Sequence, residues 1–575
     1  MKKHNLSVIQ EIVYKASVKA GFDVNEEDVH IEKTKSLKHG HFATNIAMFL
    51  AGKEGKRPKD VADMIIKNLD QSFFTKVEIA GPGFINFWVE QKFYTTECQS
   101  ITDDLSDYLL ESFDVPKGKT VVIDTSHPNI AKPMGVHHLL STIIGDSIKK
   151  IYKRVGYKVI NDNYLGDWGT QFGKLIYAIR KWGVMSAIEK NPIPELLNLY
   201  VKFHDEAEKK PELDDFGRAE FKKLEEGDKE NRKLWEFIVK KSMEDFNKIY
   251  KRLNTEFDVI NGESFYEDKM KEILDEGRKK GIIVDGEEDA WIIKPDAPDD
   301  VPVLVRKSDG ATLYATRDLA RIKYWEKIWS PDLMVNVVDC AQEFYFKQLF
   351  FAESKLGLTS AENVHVSFGR MQFKDAKMST RKGNIILLEE VLDEAEDRAF
   401  KLAKEKGLDL SDTEARELSR IMGVGAIKYN ILSQSRTTNI TFDWDKMLTF
   451  EGNSAPYLMY TATRAKSVIN KSGFSMESID NFELKSTTDS ETNLVIDFMM
   501  YPDAVNRAVK EFKPNHIANY LYNLAQNFNT FYNGTPIIKA GSEELKKSRL
   551  LITACVVRIM EDGLALLGIE VPERM

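Results

Sequence analysis

Residues 126–138, SHPNIAKPMGVHH, combine side chains that are suited to phosphate chemistry. They follow an apolar run, TVVIDTS, that predicts a strand, and they lead into a pattern that predicts a helix from about Val136. Open parallel sheets bind phosphates where a strand ends and a helix begins. Imidazoles and an ammonium held there can stabilise charge that develops on a triphosphate under attack. Because adjacent histidines alone are more often a core or surface pair, the prediction of a nucleotide site depends on Asn129 and Lys132 as well.

A second basic cluster, KMSTRKGN, lies more than two hundred residues further on, at 377–384. A basic run is usually a solvated loop. Here the Lys-Met-Ser core, the glycine and the strand-like IILLEE that follows predict a mobile phosphate-binding loop. Such a loop could close on a nucleotide as pyrophosphate leaves.

The elements that must position these clusters form an α/β pattern. The strand TVVIDTS, the helix after it and a second strand, YKVINDNYL, make a βαβ unit, which implies a parallel sheet. We expect VPVLVR, LMVNVVD and VHVSFG to be further strands of the same domain. Between them, about 194–253 is highly charged with helical periodicity and predicts a solvated helical insertion.

The flanking segments differ from this α/β pattern. The first segment has a helical start and two strand-like pieces around VEIAGPGFINFWV, which predict an α+β module over 1–118. From 449 to 575 only helical patterns remain, as in the run of apolar residues between Pro514 and Gly534. The predicted architecture is a Rossmann-type parallel-sheet catalytic domain over 119–448, with an N-terminal α+β module and a C-terminal all-α bundle.

Composition narrows the class of protein. The 575 residues are 42% hydrophobic and 30% charged, with a net charge of −9, as in a globular protein of several domains. An acidic total argues against a non-specific nucleic-acid coat, although a local basic patch remains possible on an acidic body. Three separated cysteines fit neither a disulfide framework nor a zinc motif, so we expect no protein-bound structural metal. With no apolar stretch typical of a signal or a bilayer span, we expect a cytoplasmic protein with no membrane partner.

The two clusters together resemble the paired signatures of class I aminoacyl-tRNA synthetases, HIGH and KMSKS. Further motifs narrow the resemblance to the arginyl-tRNA synthetase family: SHPNIAKP…HLLSTIIGD, NYLGDWGTQFG, FDVINGES, LYATRDLA, KMSTRKGN, GNSAPYLMYTATRA and the terminal PERM. They occur in the family's order and extend to the last residue. The resemblance implies activation of L-arginine with ATP and Mg²⁺ and its transfer to the terminal ribose of the cognate tRNA. It also implies a monomer.

The family's site residues carry over to matching positions. The implied catalytic residues are Lys132, His138 and Lys377, and the implied ATP-binding residues are Gly135, His137, His138, Met378 and Ser379. The implied arginine-binding residues are Asn129, Glu263, Tyr314, Asp318 and Gln342. Carboxylates, amides and a tyrosine suit a planar guanidinium and an α-ammonium. For tRNA, the implied contacts are Phe84 and Asn86 for the D-loop and Tyr457, Tyr460, Arg464 and Met575 for the anticodon.

The first signature departs from its His-x-Gly-His pattern. Gly135 replaces the first histidine and His137 replaces the glycine, while His138 is in register. We hypothesise that His137 supplies the missing imidazole, or that His127 does, where the family more often has serine. In the second signature Thr380 stands where the generic motif has lysine, and the family resemblance implies that Lys132 takes over that charge.

Three alternatives compete with this assignment. A small-molecule adenylyltransferase could share both clusters, but it has no reason to carry the helical bundle or the arginine-pocket motifs. A non-catalytic tRNA-binding paralogue would explain the altered first signature, whereas the intact Lys132, His138 and Lys377 argue against decay. A class I synthetase for a hydrophobic amino acid would have no use for Glu263 and Asp318.

Overall fold

The structure is a computed structural model that describes residues 5–113, 118–297, 300–374, 386–405, 410–474 and 482–575. Within those ranges no helix is long and apolar enough to cross a membrane. The chain divides into two compact units, one of residues 1–115, 154–156 and 449–575 and the other of residues 116–153 and 157–448.

The N-terminal segment is built on an antiparallel sheet. Its strands are β1 (Glu32–Lys33), β2 (Phe42–Thr44), β3 (Phe74–Ala80) and β4 (Phe84–Val89), in the order β1-β2-β4-β3. Its helices are α1 (Asn5–Lys19), α2 (Ile46–Glu54), α3 (Pro58–Lys67), α4 (Lys92–Asp103) and α5 (Leu105–Glu111). The predicted strand pair around Gly81 and Gly83 is confirmed as the β3–β4 hairpin.

The central segment holds the larger set of elements. Its strands are β5 (Thr120–Asp124), β6 (Lys158–Asp162), β7 (Ile283–Asp285), β8 (Trp291–Ile293), β9 (Val303–Arg306), β10 (Leu333–Asn336), β11 (Glu362–His365), β12 (Met371–Phe373) and β13 (Ile440–Phe442). Its helices are α6 (His137–Arg154), α7 (Thr170–Trp182), α8 (Met185–Lys190), α9 (Pro192–Lys209), α10 (Glu212–Glu225), α11 (Lys229–Arg252), α12 (Met270–Lys279), α13 (Tyr314–Trp329), α14 (Glu343–Leu356), α15 (Leu388–Glu405), α16 (Asp412–Leu432) and α17 (Trp444–Met447). Two 3₁₀ turns border the site, Glu263–Lys269 and Cys340–Gln342.

The predicted parallel sheet is confirmed in the order β11-β10-β5-β6. All five residues of β5 are buried, as expected for a central strand covered on both faces. The fully buried Trp325 of α13 and Met334 of β10 belong to the core beside it. The carboxyl ends of β5, β6 and β10 therefore lie at one edge of the sheet, where ligands of such folds bind.

Two strand predictions need correction. VPVLVR does form β9, but β9 pairs antiparallel in a separate sheet, β7-β8-β9, because it follows a hairpin instead of a helical crossover. Residues 386–390 of IILLEE, which the structure describes, do not form a strand. In that run Leu387 makes one antiparallel bridge to Gly135, and helix α15 begins at Leu388.

The C-terminal segment is helical over the described parts of 449–575, as predicted. Its helices are α18 (Ala455–Ser472), α19 (Asp489–Met499), α20 (Tyr501–Glu511), α21 (Asn515–Gly534) and α22 (Glu543–Leu566). Helix α21 buries Leu521, Leu524 and Phe528, the apolar face that the periodicity predicts. In the same compact unit, the N–H of Leu484 donates to Thr95 Oγ1 of α4 at 2.8 Å, which ties this segment to the N-terminal one.

Candidate active site

The turn between β5 and α6 has an unusual backbone. Ser126, His127 and Ala131 have φ values of 79°, 55° and 65°, in the left-handed region that residues with a Cβ rarely adopt. Strain of this kind persists only where the surroundings hold it, and it is concentrated at functional sites. The turn is therefore a built feature of this edge of the sheet.

Buried hydroxyl groups hold this turn in place. The Ser126 N–H donates to Ser141 Oγ at 2.9 Å, and the Ser126 hydroxyl lies 2.8 Å from the Tyr250 hydroxyl. The Ala131 N–H donates to Ser242 Oγ, also at 2.9 Å. Tyr250 and Ser242 belong to α11, in the segment that the charge pattern predicts to be a solvated insertion. One face of α11 instead supports the turn.

His138 is held as a neutral imidazole. Its Nδ1 accepts the Gly135 N–H at 3.1 Å, which leaves the proton on Nε2. Burial lowers the pKa of His138 to about 3, and the nearby His137 and His127 act in the same direction. His138 can therefore donate a hydrogen bond without adding a charge. The ring of the exposed His137 stands 3.9 Å from the ring of His138.

His127 faces inward. Its Nε2 is 2.8 Å from Asp124 Oδ1, at the carboxyl end of β5, and its Nδ1 is 3.5 Å from Ser141 Oγ. Arg321 donates to the other oxygen of Asp124. Although burial alone raises the pKa of Asp124, the charges of Arg321 and His127 outweigh it and hold this pKa below its ordinary value. Both ring nitrogens of His127 thus face protein atoms. A histidine that binds a phosphate would instead point one ring nitrogen at the ligand.

Lys132 follows the strained turn and faces the helical insertion. Its Nζ lies 4.8 Å from the ring centroid of Tyr200 on α9, within the range of a cation–π contact. The two residues line a small cleft together with Gln171 of α7. Among the described residues this ammonium makes no ion pair, so a phosphate that bound it would have none of those to break.

The second predicted cluster, residues 377–384, lies outside the residues that the structure describes. Lys377, Met378 and Ser379 are outside the described residues, so their roles stay predictions. The described flank of this cluster does meet the first signature. The Val136 N–H donates to Ile386 O at 3.0 Å, and the Leu388 N–H donates to Met134 O at 2.9 Å. The chain that follows the second signature therefore pairs with the turn that carries the first.

Glu263 is positioned by the chain that runs beside β6. Its N–H donates to Leu165 O at 3.0 Å, and its side chain is only 13% exposed. The Asp167 carboxylate accepts two hydrogen bonds from Ser264, the residue after Glu263: one from its N–H at 2.8 Å and one from its hydroxyl at 2.7 Å. The same carboxylate packs against Gly262, the residue before Glu263, so closely that a Cβ at Gly262 would lie 2.1 Å from Asp167 Oδ2. Asp167 therefore fixes the backbone on both sides of Glu263.

Asp318 lies on α13 in a network of charges. Tyr345 donates a hydrogen bond to it, and Arg321 Nε is 3.6 Å from its Oδ1. The fully buried Arg321 also reaches Asp124, so Asp318 and His127 are connected through two residues. The ring of Tyr164, just beyond β6, stands 4.3 Å from the Arg321 guanidinium carbon.

The remaining residues predicted for arginine border the same edge of the sheet. Tyr314 begins α13 with 66% of its surface exposed, so its ring is free to contact a ligand. Gln342 is exposed at the end of the 3₁₀ turn beyond β10. Asn129 bridges to Gly166, where a Cβ would lie 2.5 Å from Asn129 Oδ1. Each residue follows the carboxyl end of a sheet strand or begins α13.

The residues predicted for tRNA lie in the other compact unit. Phe84 is 36% exposed on β4, whereas Asn86 on the same strand is buried. On α18, the Arg464 guanidinium donates to the Tyr460 hydroxyl at 2.9 Å and to Asn529 at 2.8 Å. Asn529 also donates to the hydroxyl of the half-buried Tyr457, and Met575 ends the chain half-buried. Tyr457, Tyr460 and Arg464 of α18 form one polar cluster with Asn529 of α21.

Three family models match the chain in sequence. They are described as tRNA synthetases class I (R), catalytic domain, over residues 100–444, DALR anticodon binding domain over 458–575, and Arginyl tRNA synthetase N terminal domain over 7–89. The arginine–tRNA ligase of Fusobacterium nucleatum subsp. nucleatum is 42% identical over 550 residues, which cover 95% of each chain. That of an Exiguobacterium species is 39% identical over 555 residues, or 96% of each chain.

The chain belongs to the arginyl-tRNA synthetase family.

Solved structures of this family have the same fold. The arginyl-tRNA synthetase of Plasmodium falciparum superposes with a TM-score of 0.84 at 25% identity and covers 100% of this chain and 99% of its own. The Thermus thermophilus arginyl-tRNA synthetase gives 0.81 at 22% identity, with 99% of each chain covered. The predicted family, fold class and enzyme class are confirmed: the chain is an aminoacyl-tRNA ligase that uses arginine, ATP and tRNA.

Several synthetase residues at the site were missed by sequence reasoning. They are Asp124, Tyr164, Asp167, Arg317, Arg321 and Tyr345. Asp167, Arg317 and Tyr164 stand inside or beside motifs already singled out, GDWG, TRD and NYL, and that adjacency was the available signal. Nothing in the sequence joins Asp124 to Arg321, which is 197 residues away.

Proposed function

We propose that this synthetase forms arginyl-adenylate from L-arginine and MgATP and then esterifies arginine onto the terminal ribose of its tRNA. The observation that carries the proposal is the pair of largely buried acids, Glu263 and Asp318, at the edge of the sheet that also carries the strained β5–α6 turn. A cationic amino acid in that pocket would lie next to donors suited to a triphosphate. The carboxylate of arginine attacks the α-phosphorus, pyrophosphate leaves, and the ribose hydroxyl then displaces AMP from the mixed anhydride.

In this proposal the protein supplies position and charge rather than a nucleophile. His138 donates its Nε2–H to the nucleotide phosphates. Gly135, whose N–H donates to His138 Nδ1, is part of the ATP site. Lys132, which leaves Tyr200, and Lys377 neutralise charge on the leaving pyrophosphate, with Met378 and Ser379 beside them. Mg²⁺ enters with ATP as part of the substrate.

The arginine substrate has a matched set of groups. Glu263 and Asp318 accept from its guanidinium, and Tyr314 covers the side chain. Asn129 and Gln342 bind the α-ammonium and carboxylate end. A pocket that pairs the donors of its substrate rejects analogues strongly, because its own buried groups would be left unpaired.

For the missing imidazole of the first signature, we propose His137 over His127. His127 has Asp124 on one side of its ring and Ser141 on the other, whereas His137 is exposed beside His138. ATP turnover of His137→Ala is expected to fall more than that of His127→Ala. Two near-wild-type rates would show that neither residue supplies the imidazole.

For tRNA, we propose that Phe84 and Asn86 face the D-loop and that Tyr457, Tyr460, Arg464 and Met575 read the anticodon. Unpaired bases are recognised by stacking on aromatic rings and by hydrogen bonds to their edges. We further propose that the synthetase works as a monomer in the cytoplasm and that its three segments, 1–118, 119–448 and 449–575, are an N-terminal tRNA-binding module, a catalytic domain and an anticodon-binding domain.

Attachment of labelled arginine to total tRNA by the purified protein with MgATP tests the proposed function. Arginine is expected to be attached, and lysine and citrulline are not. The variant His138→Ala, with the exposed His39→Ala as a matched control, should lose this activity while the control keeps it. Failure of the wild-type protein to attach arginine while it still binds tRNA would instead favour a non-catalytic paralogue and point to the altered Gly135–His138 turn.

A further inference from the structure

The proposed arginine pocket already contains a guanidinium of the protein itself. Arg317, on α13, has its Nη1 3.3 Å from Glu263 Oε2. Its Nε and Nη2 donate to Glu267 Oε1 at 2.8 and 2.5 Å. The Arg317 side chain is only 11% exposed, so these pairs are shielded from water. Glu263 is thus paired with a cation before any substrate arrives.

Four further groups of the protein face Glu263. Asp318 and Asp167 are acids on neighbouring elements, Glu267 is an acid of its own 3₁₀ turn, and Tyr164 is a phenol beyond β6. Burial raises the pKa of Glu263 to about 7, the acids act in the same direction, and Arg317 opposes them. At neutral pH the protonated and ionised forms of Glu263 are therefore both populated, and Arg317 favours the ionised form.

The two protonation states recognise different ligands. A carboxylate only accepts hydrogen bonds, whereas a carboxylic acid also carries one O–H donor. Arginine offers only N–H donors at its terminal group. Citrulline has the same shape, but a ureido oxygen replaces one nitrogen, and that oxygen can accept from a carboxylic acid. Protonated Glu263 would lose its attraction for arginine and gain a partner in citrulline.

We propose that Arg317 is a specificity-determining residue: by pairing with Glu263 it keeps that residue in its acceptor-only form, so that the pocket selects arginine and rejects its neutral isostere. The inference rests on the proposed function, in which Glu263 binds the substrate guanidinium. Arg317 acts through Glu263 and is a positioning residue, not a catalytic one.

The test compares Arg317→Met with the full-length wild-type enzyme. Aminoacylation with arginine or citrulline, in the presence of ATP and tRNA, is measured from pH 6 to pH 9. At pH 7 we expect the KM for arginine to rise roughly fivefold, as for a one-unit increase in the pKa of Glu263 from about 7. The kcat should change less than threefold, and the preference for arginine over citrulline should fall about tenfold. At pH 9 both values should return toward wild type.

Two further variants separate this effect from a loss of structure. Arg317→Lys keeps a cation and is expected to keep most of the discrimination and the wild-type pH profile. Arg278→Met removes a guanidinium that pairs with Asp285 at 2.9 Å on the surface of the same unit, and it should change nothing. If Arg317→Met does not fold, the Lys variant against wild type still decides: a loss of discrimination at every pH despite the retained cation would overturn the proposal.

The outcomes also distinguish this inference from the proposed function. If wild-type protein attaches no arginine, or if Glu263→Gln leaves the KM for arginine unchanged, the proposed function or the role of Glu263 is wrong. If both controls behave as expected but Arg317→Met raises the KM equally at all pH values, or leaves the citrulline preference intact, only the role of Arg317 is wrong.

Discussion

At the scale of single residues, His138 is a side chain that can donate a hydrogen bond without carrying a charge. His138 uses Nδ1 for the Gly135 N–H, and burial lowers its pKa to about 3, so it is uncharged at neutral pH. We expect His138→Ala to reduce ATP–pyrophosphate exchange by about 10²–10³-fold, the usual loss for one preorganised donor. His138→Gln, which can place an N–H near the position of Nε2, should recover part of the rate.

The pH profile provides a second check on His138. Because the pKa of His138 lies far below neutral, the wild-type rate of exchange at saturating arginine should show no inflection from this residue between pH 5 and 8. A single inflection near pH 6.5 that disappears in His138→Gln would contradict the neutral donor. The His39→Ala variant, altered at an exposed histidine, should match the wild type throughout.

Glu263 predicts a pH dependence in the wild-type enzyme itself. Burial raises its pKa to about 7, above the ordinary value for glutamate, so its ionised form is lost as the pH falls through 7. Arginine binds the ionised form, and its KM should therefore rise below pH 7, approaching tenfold per pH unit. The KM of Glu263→Gln is expected to be higher and nearly independent of pH in that range. A flat wild-type profile from pH 8 to 5.5 would exclude this role.

At the scale of elements, a helix that looks like a solvated insertion supports the chemistry. Ser242 of α11 accepts the N–H of Ala131, a buried residue whose own φ is 65°. Ser242→Ala leaves that donor unpaired, which costs about 1–3 kcal/mol of folding free energy. We expect a lower midpoint of urea unfolding and a several-fold rise in the KM for ATP, because the strained turn relaxes.

The matched control for that prediction lies on the same helix. Glu236 is exposed on α11, and Glu236→Ala should change neither the unfolding midpoint nor the KM for ATP. If Ser242→Ala lowers stability and leaves the KM for ATP unchanged, α11 stabilises the domain without positioning the turn.

Some of these elements could be predicted from the sequence, and others could not. Strands β5 and β6 were predictable because short apolar runs lie on either side of a helical period, and that pattern places the first signature at the edge of the sheet. IILLEE was misassigned because its isoleucines favour a strand locally, while Leu388 begins a helix whose apolar face is set by tertiary packing. The pairing of Arg321 with Asp124 could not be predicted, because contacts between distant elements leave no local periodicity.

At the scale of the whole molecule, the two ends of the chain share one compact unit. Lys33 of β1 pairs with Asp497 of α19 at 2.5 Å, 464 residues away. Asp497 also accepts from Asn527 at 2.6 Å, and its backbone oxygen accepts from the Tyr520 hydroxyl at 2.9 Å. One buried carboxylate therefore joins the N-terminal sheet to two helices of the C-terminal bundle.

We expect Asp497→Ala to destabilise both ends of the chain together. Removal of the carboxylate takes the ion-pair partner from Lys33 and an acceptor from Asn527 in a largely buried setting, at a cost of about 1–3 kcal/mol. Hydrogen exchange should accelerate in peptides from β2 and β4 as well as from α21. ATP–pyrophosphate exchange should be retained, because the pocket residues belong to the other compact unit.

Glu78→Ala, which removes the exposed partner of Lys76, is the control and should cost less than about 1 kcal/mol. Faster exchange confined to α21 would mean that the N-terminal sheet is stable without this link.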